Sequence, residues 1–497
     1  MMVLLWLLPT LAVVLAIVSG RLNTTHAALL GLLVALPVAA LTGPVAFGAS
    51  QMMSALARGS WIGATIAPYI LGGLLFWQVA VHGAQARTSR MSREDDALPA
   101  EAGLSVPARR RLLFFACFLV GPFAESATGF GVGMLGTVAL IRKLGLAPRH
   151  LMVLALMSQT LTPWGGMGSG TLLASAYARM SPAELGVYSM VPVTLLMLVW
   201  LPLFWRTARL AGMAAPLSEC LREVGWIATA LALLAFATAY LGPETALLAA
   251  FGPLIVLRYL NDNRPDARQF LDTARKVLPY MALIAGLVVT RLVPDVRERL
   301  SSLGKLAPYA DLPAWLPLFH AGSWLIAGGV LTALLHRRGH LLGQEARSAW
   351  RTGKHAVLTV FLFAMMAEVL SAAGIAHAFA QGMFTTLHAG AVLLTPFISG
   401  GFGILANGGN APNSLFMPAQ LSLAIQAGLS IPAVMALQHV SGTSMSLFSP
   451  VRMTIAAGLA GAHGQERHVY AQVWPFVVLG LVLLLAMAVG IVSMRLP

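Results

Sequence analysis

Long apolar stretches separated by short polar loops follow one another along the whole chain. A stretch of sixteen or more mostly apolar residues is a candidate membrane span, because about 20 such residues cross the hydrocarbon core of a bilayer. About twelve stretches are continuous enough to be read as spans. They lie near residues 2–19, 27–42, 60–81, 150–177, 184–205, 224–241, 243–260, 277–293, 314–335, 356–375, 430–459 and 470–493. The first has no basic segment before it, so we expect an uncleaved span and not a signal peptide.

Two further apolar stretches, near 112–141 and 390–428, are interrupted by glycine, proline and polar residues. The first contains GPFAESATGFGVG, from Gly121 to Gly133. Backbone without internal hydrogen bonds is tolerated at bilayer depth only inside protein or beside water, so these segments must break a helix. Each stretch either crosses the membrane or enters it and returns as a re-entrant hairpin.

The basic residues of the loops favour the re-entrant arrangement. If both interrupted stretches return, and the loop at 83–111 is cytoplasmic, most of the 32 Lys and Arg residues face the cytoplasm. If both stretches cross, the larger share faces outward. Short cytoplasmic loops are enriched in Lys and Arg, so the first arrangement is preferred. The sequence therefore predicts an all-α polytopic membrane protein with about 12 transmembrane helices, two re-entrant hairpins and periplasmic termini.

The predicted spans form two similar series that start from opposite sides of the membrane. Residues 1–205 form the first repeat, residues 206–276 two linking spans and residues 277–497 the second repeat. After three spans, each repeat has a hairpin, a broken span and a plain span: 112–141, 150–177 and 184–205 in the first, and 390–428, 430–459 and 470–493 in the second. Inverted repeats with discontinuous helices are typical of secondary transporters, whose substrate site lies near the midplane. The alternative is a series of kinked structural helices, since glycine and proline are common in membrane spans.

The composition agrees with a membrane protein. Hydrophobic residues make up 58% of the chain and charged residues 10%, against about 25% charged in soluble domains. The net charge of +14 comes from Lys and Arg spread over short loops, so we expect no nucleic-acid partner. Two cysteines provide neither a disulfide framework nor a metal cluster, and the sequence lacks an ATP-binding P-loop. We expect no cofactor and no metal.

Glu125, inside the first interrupted stretch, is the candidate proton-coupling residue. An ionisable side chain at bilayer depth costs at least about 2.5 kcal/mol and therefore indicates function. A carboxylate buried among apolar atoms can load and release a proton near neutral pH. The alternative is a permanent structural ion pair. Glu368 and His439 are weaker candidates for the same role, since Glu368 lies in an unbroken span and a lone histidine is usually satisfied by a neighbour.

Four polar breaks are expected to form the substrate site. Their sequences are FAESATGFGVG, SQTLTPWGGMGSGT, SGGFGILANGGNAPNS and SGTSMSLFSPVRMT, two in each repeat. Half-helix N-termini offer free N–H groups and positive dipole ends, which suit a small carboxylate, whereas unwound carbonyls suit a proton carrier or a cation. The candidate substrate-binding residues in these breaks are Arg452, Asn407, Asn410, Asn413, Ser441, Thr443, Gly129, Gly131 and Thr162.

Arg452 begins the second half of a broken span, directly after Ser449 and Pro450. A guanidinium group at this depth can bind a carboxylate through two parallel hydrogen bonds. The alternatives are that Arg452 extends toward the cytoplasmic surface or pairs structurally with Glu125 or Glu368. The sequence leaves these roles open.

Asn407, Asn410 and Asn413 recur every three residues in a glycine-rich tip. Each amide can donate and accept hydrogen bonds, so the three side chains could line the polar end of a substrate. Equally, they could hold the hairpin backbone together through local hydrogen bonds.

The four broken segments resemble those of the L-lactate permease family. FAESATGFGVG is similar to the family's Glu-containing Gly-Phe-Gly segment, LMSQTLTPWGGMGSG stands at its Asn-Thr-Ala-Pro-type break, FISGGFGILANGGNAPNSLF resembles its Gly/Ser/Asn-rich segment, and VSGTSMSLFSPVR resembles its closing Ser-Pro segment. Order and spacing agree over most of the chain. The resemblance implies proton-coupled uptake of lactate, and often glycolate or related 2-hydroxy acids, across a bacterial inner membrane. Ser446 stands where the family has a basic residue, and Arg452 follows shortly after.

The sequence thus predicts a multi-pass inner-membrane symporter for small monocarboxylates that uses a proton as the coupling ion, with its oligomeric state left open. A sodium-coupled carrier for another small organic anion is the alternative, since the amide- and carbonyl-rich breaks fit it as well. A channel fits less well, because buried charges of both signs suit alternating access. We do not expect an enzyme, since the chain has no H-E-x-x-H pattern and no convincing Ser/His pair.

Overall fold

A computed structural model describes residues 2–91, 105–129, 131–263 and 265–494. Over these ranges the chain is helical and has no β-strand, which confirms the all-α class. The predicted polar loop at 83–111 lies partly outside the described residues. The α-helices are α1 (Met2–Val18), α2 (Thr24–Thr42), α3 (Ala49–Met91), α4 (Val106–Phe115), α5 (Gly121–Thr128), α6 (Val132–Ile141), α7 (Pro148–Met157), α8 (Gly165–Ala178), α9 (Pro182–Leu210), α10 (Leu217–Leu241), α11 (Pro243–Asn263), α12 (Ala267–Leu292), α13 (Pro294–Ser302), α14 (Ala321–Leu335), α15 (Leu342–Ala372), α16 (Ile375–Leu387), α17 (Thr395–Ala406), α18 (Asn410–Ala427), α19 (Ile431–Met445), α20 (Pro450–Ala460) and α21 (Glu466–Met494).

In the described part of the chain, nine helices are long and apolar enough to cross a membrane, or up to ten if a bent pair within α12 forms one span. The protein is therefore polytopic. The predicted count of about twelve is not reached by helix length, because the spans predicted at 150–177 and 430–459 are each divided into two short helices. The apolar helices at Leu4–Val18 and Ala321–Leu335 are also shorter than a full span.

The span predicted at 314–335 becomes helical only at its eighth residue, Ala321. Ahead of α14 the chain forms an antiparallel bridge in which Leu306 and Trp315 exchange backbone hydrogen bonds of 2.9 and 2.8 Å. Pro313 and Pro317 lie in this segment, and proline removes a helix N–H and clashes with the preceding turn. The apolar residues at 314–320 therefore suggest a helix, but Pro313 and Pro317 prevent one from forming there.

The first interrupted stretch turns back on itself as a helical hairpin. α4 continues through a π-helical turn at Ala116–Val120 into α5, and α6 returns alongside. The Thr137 hydroxyl donates to the Ala116 carbonyl at 3.0 Å, and the Arg109 guanidinium donates to the Leu144 carbonyl at 2.5 Å near the base of the hairpin. The two arms therefore lie side by side. The first arm, Val106–Thr128, is by length and composition one of the nine candidate spans among the described residues, so re-entry of this stretch stays a prediction.

Glycine is needed both at the turn and between the arms of this hairpin. Gly129 and Gly131 have φ values of +72° and +86°, a backbone region that other residues rarely adopt. Between the arms, a Cβ on Gly133 would lie 2.6 Å from the Gly121 carbonyl oxygen. The glycines of GPFAESATGFGVG thus permit a sharp turn and a close approach of two helices.

The second interrupted stretch forms a similar turn between α17 and α18. Asn407 ends α17 with φ +59°, and α18 begins at Asn410. α17 also packs closely on α19, since a Cβ on Gly403 would overlap the Gly442 carbonyl. The glycine-rich tip therefore places two helix ends beside the break between α19 and α20.

Contacts between loops join segments that the predicted topology places on one side of the membrane. Arg110 pairs with Glu223 at 2.9 Å, and both belong to predicted cytoplasmic loops. Arg179 pairs with Asp311 at 2.6 Å, and both belong to predicted periplasmic loops. These contacts are consistent with the predicted sidedness, which stays a prediction.

Asp311 connects α3 and the end of α8 to the loop before α14. Its carboxylate accepts from Arg58 at 3.0 and 2.6 Å and from Arg179 at 2.6 Å. The Arg58 hydrogen bonds outweigh desolvation and hold the pKa of the Asp311 carboxyl well below its usual range. A carboxyl whose pKa is lower in the folded state stabilises the fold above its unfolded pKa, and this contribution is lost as the pH falls through the folded pKa.

We therefore expect Asp311→Asn to lower the melting temperature of the purified protein at neutral pH. The difference from the wild type should shrink on acidification, because both proteins then lack the charged carboxylate. Thermal unfolding in detergent measures the effect, and Asp295→Asn, an exposed carboxylate of the preceding helix, is the matched control. Equal melting temperatures for Asp311→Asn and the wild type would show that the ion pairs add no stability.

Candidate functional site

The four predicted breaks meet around one small polar cavity of about 100 Å³. Pockets for drug-sized ligands measure roughly 300–1,000 Å³, so this cavity suits a molecule of a few heavy atoms. Every break contributes to its wall: Glu125 and Gly129 from the first, Thr162, Gly165, Gly166, Ser169 and Gly170 from the second, Asn407, Gly408, Gly409 and Asn410 from the third, and Thr443, Ser446 and Arg452 from the fourth, with Ile455 directly after it. We call this space the central cavity.

Helix N-termini converge on the central cavity. α18 begins at Asn410 and Arg452 lies in the first turn of α20, and both residues line the cavity. In α8, Gly166, Met167 and Gly168 have left-handed backbone angles, so its right-handed part begins at Ser169, which also lines the cavity. α6 begins directly after Gly131, beside the same wall. Helix N-termini present unbonded N–H groups and the positive end of the helix dipole, so this arrangement attracts a small anion.

Glu125 is buried, with 3% of its surface exposed, and its carboxylate lies against the N-terminus of α6. It accepts hydrogen bonds from the backbone N–H groups of Gly131 and Gly133, each at 3.1 Å. The Gln159 side-chain amide donates a third at 3.1 Å. The sequence suggests an apolar environment for this carboxylate, but the structure provides three donors and a positive helix end, which stabilise its negative charge.

Gln159 connects the two charged residues of the cavity. Its amide nitrogen donates to Glu125, and its amide oxygen accepts from Arg452 Nη1 at 3.0 Å. Both hydrogen bonds are buried, since 1% of Gln159 and 8% of Arg452 are exposed. The sequence analysis did not single out Gln159, although a buried glutamine beside a proline–glycine break was a usable signal.

Arg452 lies in the cavity wall and does not extend to a surface. Its backbone N–H donates to the Ser449 hydroxyl at 3.1 Å, so Ser449 caps α20 and fixes the start of the helix. Ser446 lines the same cavity.

Asn407, Asn410, Thr162 and Thr443 line the central cavity, and their binding of substrate stays a prediction. Asn407 also accepts from the Ser449 hydroxyl at 2.5 Å, a contact between the hairpin tip and the break before α20. The Thr162 hydroxyl donates to the Thr443 carbonyl at 3.0 Å and so joins the two repeats. Asn410 faces the cavity from the first residue of α18.

His439, Asn413 and Ser441 are buried behind the cavity wall and do not line it. The Asn413 amide nitrogen lies 2.9 Å from His439 Nδ1, and the Thr171 hydroxyl lies 2.9 Å from His439 Nε2. Thr171 in turn donates to the Pro163 carbonyl at 2.5 Å. If the amide donates to Nδ1, then Nε2 carries the proton and donates to Thr171, so a neutral imidazole satisfies every partner. This geometry favours a supporting role for His439.

Glu368 lies in a different part of the structure from the cavity wall. Its carboxylate pairs with Arg58 at 2.8 Å, and Arg58 also binds Asp311. The structure therefore joins Glu368 to the predicted periplasmic ion pairs and not to Glu125 or Arg452. A proton-coupling role for Glu368 stays a prediction that this placement does not favour.

Comparison with known proteins identifies relatives named L-lactate permease. No family model matches the chain. The L-lactate permease of Escherichia coli (strain K12) is 25% identical over 525 residues, which cover 93% of this chain and 91% of that protein. The L-lactate permease of Salmonella typhimurium (strain LT2) is 25% identical over 527 residues, with the same coverage of both chains. The similarity thus extends over nearly the full length of each protein.

Proposed function

This chain is a homologue of the L-lactate permeases, and on that premise we propose that it takes up L-lactate, or a related small 2-hydroxy monocarboxylate, by proton symport across a bacterial inner membrane. The relatives support transport of lactate, and the geometry of the central cavity supports the proposal of proton symport. The observation that carries it is the chain of hydrogen bonds from Glu125 through Gln159 to Arg452, in the wall of a cavity that fits a small anion.

The substrate carboxylate is proposed to bind Arg452 and the helix N-termini around it. A guanidinium group has five N–H donors, and the bond to Gln159 uses one of them, so donors are left for a carboxylate. Asn407 and Asn410 offer side-chain amides to a 2-hydroxyl or to the second carboxylate oxygen. The Thr443 hydroxyl already donates to the His439 carbonyl at 2.7 Å, so it can only accept from a substrate hydroxyl. The small volume excludes long-chain acids.

The charges of the site supply a reason for coupling. Arg452 and Glu125 together are neutral, so an incoming anion adds one uncompensated negative charge to a buried space. An unpaired buried charge is costly, whereas a proton on Glu125 restores neutrality. We therefore propose that one proton and one monocarboxylate bind together, and that the net step moves no charge.

Uptake of labelled L-lactate into proteoliposomes tests this function. We expect accumulation when the outside is made acidic, no accumulation when only a sodium gradient is imposed, and loss of accumulation on adding a protonophore. A potassium diffusion potential should change the rate little, because the proposed step is electroneutral. Accumulation that follows sodium and ignores the pH gradient would assign the protein to sodium-coupled carriers.

Gln159→Leu tests the link between the two charges. The variant keeps the side-chain size but removes one donor to Glu125 and one acceptor from Arg452. Each lost hydrogen bond to a charged group is worth about 1.5–3 kcal/mol, so we expect initial uptake rates to fall roughly tenfold or more. Gln420→Leu, a buried glutamine that does not line the central cavity, is the matched control and should retain transport. Wild-type rates for Gln159→Leu would remove the link from the mechanism.

A further inference from the structure

A second polar cavity of about 310 Å³ lies behind the tip that joins α17 and α18. Asn407, Gly408 and Asn410 line this second cavity and also line the central cavity. A single turn of chain thus separates the two spaces. We call the second space the rear chamber.

The wall of the rear chamber opposite the tip is built by α2 and α15. Thr25 at the start of α2 donates to the His355 carbonyl at 3.1 Å and lies 2.9 Å from the Thr359 hydroxyl. These contacts hold the two helices together on one side of the chamber. In the predicted topology, both helix ends are cytoplasmic, so the chamber lies between the central cavity and the cytoplasm.

The lining of the rear chamber suits a small anion in transit. Hydroxyl, amide and imidazole groups form its polar surface, and among the residues that the structure describes no Asp or Glu lines it. Arg351 and Lys354 flank the lining residues Thr352 and His355 on α15, and their side chains are not buried. A positive potential without competing carboxylates draws anions toward such an opening.

The two glycines in the tip between the central cavity and the rear chamber differ in packing. A Cβ on Gly409 would overlap Thr443, so Gly409 is packed tightly against α19. A Cβ on Gly408 would meet nothing within 4 Å, so this residue has open space around it. The Ser449 hydroxyl holds Asn407 at the start of the tip. A movement of the tip at Gly408 would therefore open a passage without unpacking the helices.

We propose that the rear chamber is the cytoplasmic substrate chamber, which a small monocarboxylate occupies after it leaves the central cavity, and that the tip at Asn407–Asn410 is the inner gate between them. The inference rests on the proposed transport function and adds to it a release route, a second binding space and a moving element.

Cysteine labelling in oriented membrane vesicles tests this assignment. In a background with Cys117→Ala and Cys220→Ser, we would introduce Gly408→Cys in the tip, Thr352→Cys in the chamber wall and Ser302→Cys on the opposite, predicted periplasmic side. A membrane-impermeant thiol reagent is then added to one face at a time. Gly408→Cys and Thr352→Cys should react from the cytoplasmic face, and Ser302→Cys should react from the other.

Substrate protection and transport block complete the test. L-lactate at about ten times its Kd should slow the labelling of Gly408→Cys roughly tenfold, as the unoccupied fraction falls by that factor. Labelling of Thr352→Cys with a bulky reagent should stop transport. Reaction of Gly408→Cys only from the periplasmic face, or unchanged transport after Thr352→Cys is labelled, would overturn the proposal. If Gly408→Cys does not fold, Thr352→Cys decides the outcome.

Failure of the chamber and failure of the proposed function give different results. Uptake of L-lactate by the cysteine-free background measures the function alone. If that protein does not transport L-lactate but the labelling pattern is as expected and another carboxylate slows it, the chamber stands and the substrate assignment fails. If it transports L-lactate but Gly408→Cys is not protected, the function stands and the gate is refuted.

Discussion

Replacing Glu125 by glutamine should abolish lactate accumulation driven by a pH gradient while leaving the exchange of one lactate anion for another partly intact. The amide has nearly the size of the carboxyl group but cannot release a proton, so the cycle of loading and unloading stops. Arg452 keeps its charge, and a bound anion then gives a neutral site without a proton. Accumulation and counterflow in proteoliposomes measure the two activities separately.

Some loss of protein yield is also expected for Glu125→Gln. Gly131 and Gly133 aim two N–H groups at the carboxylate, and an amide oxygen can accept from both only weakly compared with a charged group. Leaving a buried donor poorly satisfied costs about 1–3 kcal/mol. Counterflow therefore has to be normalised to folded protein in the membrane, so that lower stability is not mistaken for lower activity.

Glu368→Gln is the matched control for Glu125→Gln. It makes the same chemical change in a carboxylate that pairs with Arg58 outside the central cavity. We expect this variant to keep proton-driven accumulation and to lose stability, because Arg58 loses a charged partner. If Glu125→Gln accumulates lactate like the wild type, Glu125 has no role in coupling. If Glu368→Gln uncouples transport instead, the coupling carboxylate is Glu368.

The positions of the four breaks could be predicted from the sequence because their cause is local. Proline, glycine and polar residues inside an apolar stretch cannot continue a lipid-facing helix, whatever the rest of the chain does. The turn at Gly129 and the N-cap at Ser449 follow from the same residue types. That the breaks would meet was an inference from the inverted repeat, and the shared cavity supports it.

The partners of the buried charges could not be predicted because they depend on distant residues. Gln159 and Arg452 are 293 positions apart, and Arg58 and Glu368 are 310 apart. No local pattern distinguishes a carboxylate that meets a helix N-terminus from one that meets an arginine. The sequence ranks Glu125 above Glu368 because a break surrounds Glu125, but only the fold shows which groups bind each carboxylate.

The three asparagines of the tip show how helix geometry divides a repeated motif. Asn407 belongs to the turn and Asn410 begins α18, so both face the central cavity. Three residues further, a helix has advanced about 4.5 Å and is rotated by about 60° from a full turn, so Asn413 points elsewhere. It contacts His439 instead. The regular spacing of three residues suggested that the three asparagines have equal roles. Because α18 begins at Asn410, only Asn407 and Asn410 line the cavity.

Replacing Arg452 by alanine should raise the apparent KM for every carboxylate substrate. A hydrogen bond to a charged group contributes about 1.5–3 kcal/mol, so we expect an increase of roughly 10- to 150-fold if Arg452 binds the substrate. The same variant leaves Glu125 buried with only neutral hydrogen-bond donors around it, so maximal rates at alkaline pH should also fall. Initial rates over a range of lactate concentrations and pH values separate the two effects.

Arg452→Lys and Arg110→Ala distinguish substrate binding from a structural role for Arg452. Lysine keeps the charge but not the planar donors, so Arg452→Lys should give a KM between those of the wild type and Arg452→Ala. Arg110 is a buried arginine that pairs with Glu223 and does not line the central cavity. Arg110→Ala should therefore lower stability at an unchanged KM. An unaltered KM in Arg452→Ala, with stability lost as in Arg110→Ala, would show that Arg452 supports the wall of the cavity without touching the substrate.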